Sequence, residues 1–199
     1  MIIGVLSMQG DIREHIKMLD ACGVEAVRVK TEETLTNVDG LIIPGGESTT
    51  IIRLLNSSGL RSLLIRRTNE GLPVWGTCAG MIVVAKSPIN NRDRGLGLID
   101  IQVKRNAFGR QVDSFEVDIP LDVIGKPPYR CIFIRAPVIS NAGKNVELLA
   151  QHNGFAVMGK ERNVLVTSFH PELTNDKRIH KYFINMVKKY IESHEKLNT

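Results

Sequence analysis

The first half of the chain repeats one arrangement: a short apolar run, a glycine-bearing turn, then a stretch with helical periodicity. IIGVL leads through Gly10 into DIREHIKMLDAC, where Ile12, Ile16 and Leu19 recur at helical spacing until Gly23 stops the helix. GLIIPGG leads into STTIIRLLNSSGLRSLLIRRTNEG, a helical region with Ser48 or Thr49 as its expected N-cap. PVWGT leads directly into AGMIVVAK, and VEAVRV supplies a further strand. Short apolar strands alternating with helices predict an α/β fold, a parallel sheet covered on both faces. Sites in such sheets lie at the carboxyl ends of the strands, which here are the glycine turns.

The pattern then changes. From about Leu98 to Phe169 the segments LIDIQV, SFEVDI, RCIFIR, VELLAQ, FAVMGK and NVLVTSF are β-like and separated by turn residues, so antiparallel strands are expected to extend the sheet. The final 25 or so residues predict a helix with Ile179, Phe183, Met186, Val187 and Tyr190 on one face. There is no repeat and no linker. At 199 residues and 43% hydrophobic content, residues 1–199 are expected to form a single domain.

Composition narrows the function classes. No apolar run is long enough to span a membrane, and the first residues lack the layout of a signal peptide, so a cytoplasmic protein is expected. Cys22, Cys78 and Cys131 are odd in number and lack metal-ligand spacing, which argues against a disulfide framework and against zinc. The net charge of +5 is spread over LIRR, VKRN and the terminal helix, and only 5% of residues are aromatic. Solvated helix faces explain that charge better than nucleic-acid binding.

Three features stand out. Gly76-Thr77-Cys78-Ala79-Gly80 is a G-x-C-x-G analogue of the nucleophile elbow, a tight strand-to-helix turn that exposes its central side chain. A thiol at a helix N-terminus is favoured as thiolate. By spacing alone Cys78 remains either a nucleophile or a small buried hydrophobe, whereas Cys22 and Cys131 read as packing residues. In SFHPEL, Pro171 disfavours helix at His170, so an extended segment would project His170 and Glu172 to the same side. A carboxylate there would orient an imidazole base, although a surface histidine followed by a capping glutamate fits as well. His15, His152, His180 and His194 lack such a partner, and the three on predicted helices are expected to face water. PGGEST lets backbone approach a ligand and offers an N–H to an oxyanion, or is a plain turn capped by Ser48. It lacks the lysine of a phosphate loop.

Taken together, GVLSMQGDIREH, PGGESTT, GTCAGM, KRNAFGRQVDSFE, FIRAP and SFHPELT resemble, in this order, the glutaminase subunits of pyridoxal 5′-phosphate synthase, a branch of the class I glutamine amidotransferases. Departures are Ser7 and Met8 in the first turn and Lys104 before the Arg-Asn pair. The resemblance implies a three-layer, flavodoxin-like fold with additional antiparallel strands. It implies Cys78 as nucleophile, His170 as proton shuttle and Glu172 as its orienting partner, with oxyanion N–H donors from Gly46 and Ala79. It places glutamine contacts on Gly46, Glu47, Ser48, Arg105, Ile134 and Arg135, and implies no metal and no cofactor. It further implies a hetero-oligomer with a (β/α)₈-barrel synthase subunit that receives the ammonia through protein and on which activity depends. Two other expectations fit less well: a glutaminase serving a different synthase, against which FGRQVDSFE speaks, and a non-catalytic regulatory subunit, against which the intact cysteine, histidine and glutamate speak. A cysteine hydrolase or chaperone of similar fold would not need the H-P-E element.

Overall fold

A computed structural model describes residues 1–86, 94–107 and 114–197. Residues 108–113, within the RNAFGRQVDSFE stretch, lie outside the described residues. The first half alternates as its apolar runs predict: β1 (Ile2–Leu6), α1 (Ile12–Ala21), β2 (Glu25–Val29), α2 (Glu32–Thr36), β3 (Gly40–Ile43), α3 (Ser48–Ser57), α4 (Leu60–Asn69), β4 (Val74–Thr77) and α5 (Ala79–Val84). The second half is strand-rich: β5 (Ile101–Lys104), β6 (Ser114–Ile119), β7 (Tyr129–Ile134), β8 (Val138–Ala142), β9 (Glu147–His152), β10 (Phe155–Glu161) and β11 (Val164–Thr167), closed by α6 (Arg178–Leu197).

Among the described residues the main sheet runs β2-β1-β3-β4-β11-β10-β8-β5, with β9 added on β10. Pairings from β2 through β11 are parallel, and those among β11, β10, β8, β9 and β5 are antiparallel. The order of the parallel part is that of a doubly wound sheet, in which the switch between β1 and β3 opens a crevice at the carboxyl ends. β6 and β7 form a separate antiparallel hairpin.

Alternate residues of each central strand feed opposite layers. Leu41, Ile43, Val74, Val164 and Val166 pack with Leu35, Ile52, Leu55, Leu64 and Met81 from α2, α3, α4 and α5. Ile42, Trp75 and Leu165 pack with Leu19, Ile179, Phe183 and Val187 from α1 and α6, together with the inward residues Tyr129, Cys131 and Phe133 of the hairpin. Burial on both faces is why these runs are continuously apolar rather than alternating.

Three local features differ from expectation. The helical region after Ser48 is two helices, because Gly59 adopts φ +78° between them. The cap of α3 is Glu47, whose carboxylate accepts from the backbone N–H groups of Thr49 and Thr50 at 3.1 and 2.6 Å. A carboxylate satisfies two orphan donors at once, which a hydroxyl at Ser48 does not. The short α2, held by reciprocal capping between Thr31 and Thr34, has too few apolar residues to show a period.

Candidate active site

Four loops converge at the carboxyl ends of β1, β3, β4 and β11. Parallel pairing sets the key adjacency: Thr77 of β4 is in register with Thr167 of β11, and the Cys78 N–H donates to the Thr167 carbonyl at 2.8 Å. Cys78 and His170, distant in sequence, therefore leave the sheet side by side.

Cys78 sits at φ +48°, ψ −105°, immediately before α5. For a non-glycine residue this conformation costs about 1–3 kcal/mol, and it persists only where surroundings enforce it. The surroundings are tight: a Cβ on Gly80 would lie 1.9 Å from the Ile43 carbonyl oxygen, so the helix can approach β3 only through glycine. Asn106 and Arg135, which also border the cavity, share the positive φ, at +48° and +45°.

Nearly every residue singled out in the sequence meets here. A cavity of about 410 Å³ is lined by Gly46, Glu47, Ser48, Cys78, Ala79, Arg105, Ile134, Arg135 and His170. Glu172 lies behind His170 and is buried. Its Oε1 is 2.7 Å from His170 Nδ1. The pair is not extended as expected: Pro171–Leu173 form a 3₁₀ turn, and the proline's fixed φ starts that turn. The turn swings the carboxylate back onto the ring, so i and i+2 meet for a different reason.

Two site residues escaped the sequence reading. Asp11, at the β1–α1 turn, places Oδ2 3.3 Å from His170 Nδ1. Gln9 accepts the Glu47 N–H at 2.6 Å and ties the first loop to the PGGE turn. Both flank Gly10 just beyond the end of β1, and the strand-turn-helix pattern was the available signal. Gly45 makes room for this convergence, since a Cβ there would lie 2.6 Å from His170 Cε1 and 2.8 Å from Asp11 Oδ2.

The electrostatics favour a charged imidazole. Burial alone would lower the His170 pKa, but hydrogen bonding with Asp11, Cys78 and Glu172 outweighs it and pushes the value up to about 12. Burial pushes the Glu172 carboxyl up, against the pull of His170. With Nδ1 engaged by carboxylates, Nε2 is the nitrogen left for the thiol. Burial also pushes up the thiols of Cys22 and Cys131, in keeping with packing roles.

The expectation that the other helical histidines face water is wrong for two of them. His15 and His180 are fully buried, with His15 Nδ1 3.2 Å from His180 Nε2. They lie on the inward faces of α1 and α6, where the space between two helices and β4 is filled by rings packed on Trp75.

Toward ligands, Glu47 is partly committed: burial would raise its pKa, but hydrogen bonds from Thr49 and Thr50 lower it to about 2. Arg105 lies 3.8 Å from it across the cavity mouth. Ser48 Oγ is buried, has no hydrogen-bond partner among the described residues and borders the cavity, a polar atom available to a ligand. Ligand atoms of Asp11, His170 and Glu172 come within 4.8 Å of one another, close enough for one cation. A metal would have to displace the Nδ1 hydrogen bond, so the set serves acid–base chemistry more naturally. A larger cavity of about 660 Å³ lies at the opposite, amino ends of β4 and β11, and its described lining residues bring no cysteine to a histidine.

Known proteins resemble this chain over most of its length. Residues 5–189 match the model of the SNO glutamine amidotransferase family. A protein of Thermotoga petrophila described as pyridoxal 5′-phosphate synthase subunit PdxT is 54% identical over 94% of this chain and 100% of its own length. One of Desulforamulus reducens with the same description is 48% identical over the same shares. A solved structure described as a glutamine amidotransferase superposes with a TM-score of 0.89 at 44% identity, covering 94% of this chain and 98% of the other. A structure of PurLQS from Thermotoga maritima, at 15% identity and a TM-score of 0.70 over 92% of this chain and 97% of the other, shares the fold.

Proposed function

The chain belongs to the SNO glutamine amidotransferase family, and on that premise we propose that Cys78, His170 and Glu172 form the triad of its glutaminase reaction. The protein is the glutaminase subunit of pyridoxal 5′-phosphate synthase: it hydrolyses L-glutamine and supplies ammonia to the synthase subunit with which it is paired. The observation that carries the triad is the buried 2.7 Å contact between His170 Nδ1 and Glu172 Oε1 beside the Cys78 elbow.

In this scheme the Cys78 thiolate attacks the side-chain amide carbon of glutamine. Charge develops on the carbonyl oxygen, which the N–H groups of Gly46 and Ala79 stabilise. The His170 imidazolium gives its proton to the departing nitrogen, the C–N bond breaks, and ammonia leaves a thioester on Cys78. Neutral His170 then takes a proton from water, the resulting hydroxide attacks the thioester, and glutamate departs as the thiolate and imidazolium are restored. Glu172 holds the ring and stabilises its charged form.

Glutamine binding is assigned to Gly46, Glu47, Ser48, Arg105, Ile134 and Arg135. Arg105 and Arg135 offer charge to a carboxylate, and the unpartnered Ser48 hydroxyl and the backbone of Ile134 offer polar contacts. The synthase partner is read as a (β/α)₈ barrel and residues 1–199 as one glutaminase domain, both cores sandwiching the same sheet. No described helix is long and apolar enough to cross a membrane, and the cysteines are unpaired, which supports a cytoplasmic setting.

The test is ammonia release from glutamine by the chain with and without its synthase subunit. Activity is expected to be low alone and strongly raised in the complex. Cys78→Ala is expected to lose about 1000-fold or more. A Cys78→Ala complex as active as the parent would overturn the nucleophile assignment.

A further inference from the structure

Behind the triad lies a row of buried polar groups that the glutaminase scheme does not use. The second oxygen of Glu172, Oε2, is buried and makes no hydrogen bond among the described residues. His15 Nε2 of α1 lies 3.4 Å from it and 3.2 Å from Thr77 Oγ1 of β4. His15 Nδ1 in turn faces His180 Nε2 of α6 at 3.2 Å. Trp75 closes this space edge-on to both rings, with centroids 5.7 and 4.9 Å away.

The proton positions follow from what each alternative leaves unpaired. If His15 carried its proton on Nδ1, its Nε2 lone pair would accept from the Thr77 hydroxyl but would also face a carboxylate oxygen at 3.4 Å. His180 would then have to accept at Nε2 and carry its own proton on Nδ1, which is buried with no partner among the described residues. A buried orphan N–H is among the rarest groups in proteins, and an orphan acceptor is less so. The other arrangement avoids both: His180 donates Nε2–H to His15 Nδ1, and His15 turns its Nε2–H toward Thr77 Oγ1, with Glu172 Oε2 3.4 Å from the same nitrogen.

Resting on the triad reading, we propose that His15 is a positioning residue: its Nε2–H, fixed in that tautomer by His180, holds the outer oxygen of Glu172 so that the inner oxygen meets His170. A neutral donor suits this task, because a cation at His15 would compete with His170 for the charge of Glu172. Burial, with the neighbouring rings of His180 and His170 acting in the same direction, keeps the His15 pKa well below its ordinary value. Burial likewise lowers His180, to about 3. The groups facing His170 itself are Asp11 from the β1–α1 turn, Cys78 from the elbow and Glu172 from its own turn, with Arg105 and Arg135 bordering the same cavity.

The experiment combines a tautomer measurement on the ¹⁵N-labelled full chain with kinetics of variants in the synthase complex. At neutral pH, His15 is expected to be protonated on Nε2 alone. His15→Phe is expected to lower kcat about 10-fold or more with the KM for glutamine unchanged. The basic limb of its pH profile should move to lower pH, since an unheld Glu172 stabilises the His170 cation less. His15→Gln, which retains an N–H donor, should recover much of the rate, and His180→Phe should show a smaller loss in the same direction. A merely structural role would lower thermal stability and leave the pH profile in place. Protonation of His15 on Nδ1 overturns the proposal even if His15→Phe fails to fold, as does a folded His15→Phe with the parent's rate and profile. Cys78→Ala run in parallel separates the two readings: if it is inactive while His15→Phe is unchanged, the His15 role alone fails, and if it is active, the triad itself fails.

Discussion

The two ends of β4 and β11 carry cavities of opposite character. At the carboxyl ends, a cavity of about 410 Å³ joins Cys78, His170 and Asp11, with Glu172 packed behind. At the amino ends, a larger one of about 660 Å³ is bordered by Lys160, Arg162, Lys188 and Lys189, with Tyr190 and His194 nearby. The larger cavity holds long cationic side chains that water can solvate. The smaller one holds a buried histidine pressed against carboxylates by glycine turns and positive-φ backbone. What sets the smaller cavity apart is the forced approach of opposed charges around a buried imidazole, not its volume.

The contrast is most easily broken at Glu172. Glu172→Gln should lower glutaminase activity in the complex by about 100-fold or more, because the amide cannot stabilise the imidazolium. His170, held up at about 12 against an ordinary 6.5, lends stability that is complete below about 6.5 and lost as pH rises through the folded value. Removing the Glu172 charge should lower that folded value, so both activity and the thermal midpoint should begin to fall at lower pH than in the parent. Identical profiles would show that Glu172 does not set the charge on His170.

Gly45→Ala tests the forced approach. A methyl 2.6 Å from His170 Cε1 must displace the ring or the PGGE loop, and a shift of that size should reduce kcat about 10-fold or more while the fold survives. A variant with the parent's kcat would mean that the loop yields freely.

Cys131→Ser compares a second buried cysteine with Cys78. It places a hydroxyl on the inner face of the β6–β7 hairpin, so unfolding should show a loss of about 1–3 kcal/mol, with kcat unchanged. A loss of activity without a loss of stability would reassign Cys131.

At the amino ends the expected effect is the smallest. Arg162→Ala combined with Lys189→Ala should leave glutamine hydrolysis within about 2-fold of the parent, because neither touches the reacting groups. A large loss would place the chemistry, or its control, at the amino ends of the sheet instead.

Much of this molecule was legible in the chain itself. Continuous apolar runs such as GLII and VLVT state burial on both faces, and that requirement leads to a parallel sheet with helices on each side. The elbow around Cys78 was legible because its glycines are a local steric need. His170 and Glu172 were also found locally, although the conformation joining them is a 3₁₀ turn rather than a strand. The capping carboxylate of Glu47 was hidden behind the more usual hydroxyl at Ser48.

His15 and Asp11 mark the limit. On a helical wheel His15 looks like any polar residue, and only the packing of α1 against α6 and β4 buries it beside Glu172. Asp11 comes to His170 because β1 and β3 are neighbours and Gly45 lets the loops touch. By itself, then, the sequence determined the class of fold, the turn that carries Cys78 and the nearness of His170 to Glu172, since turn sterics and periodicity act over a few residues. Which groups from distant segments share a buried space, and so which histidines are held neutral or charged, was decided by the tertiary structure alone. Desolvation and Coulomb energies depend on distances between elements, and only strand order and helix packing set those distances.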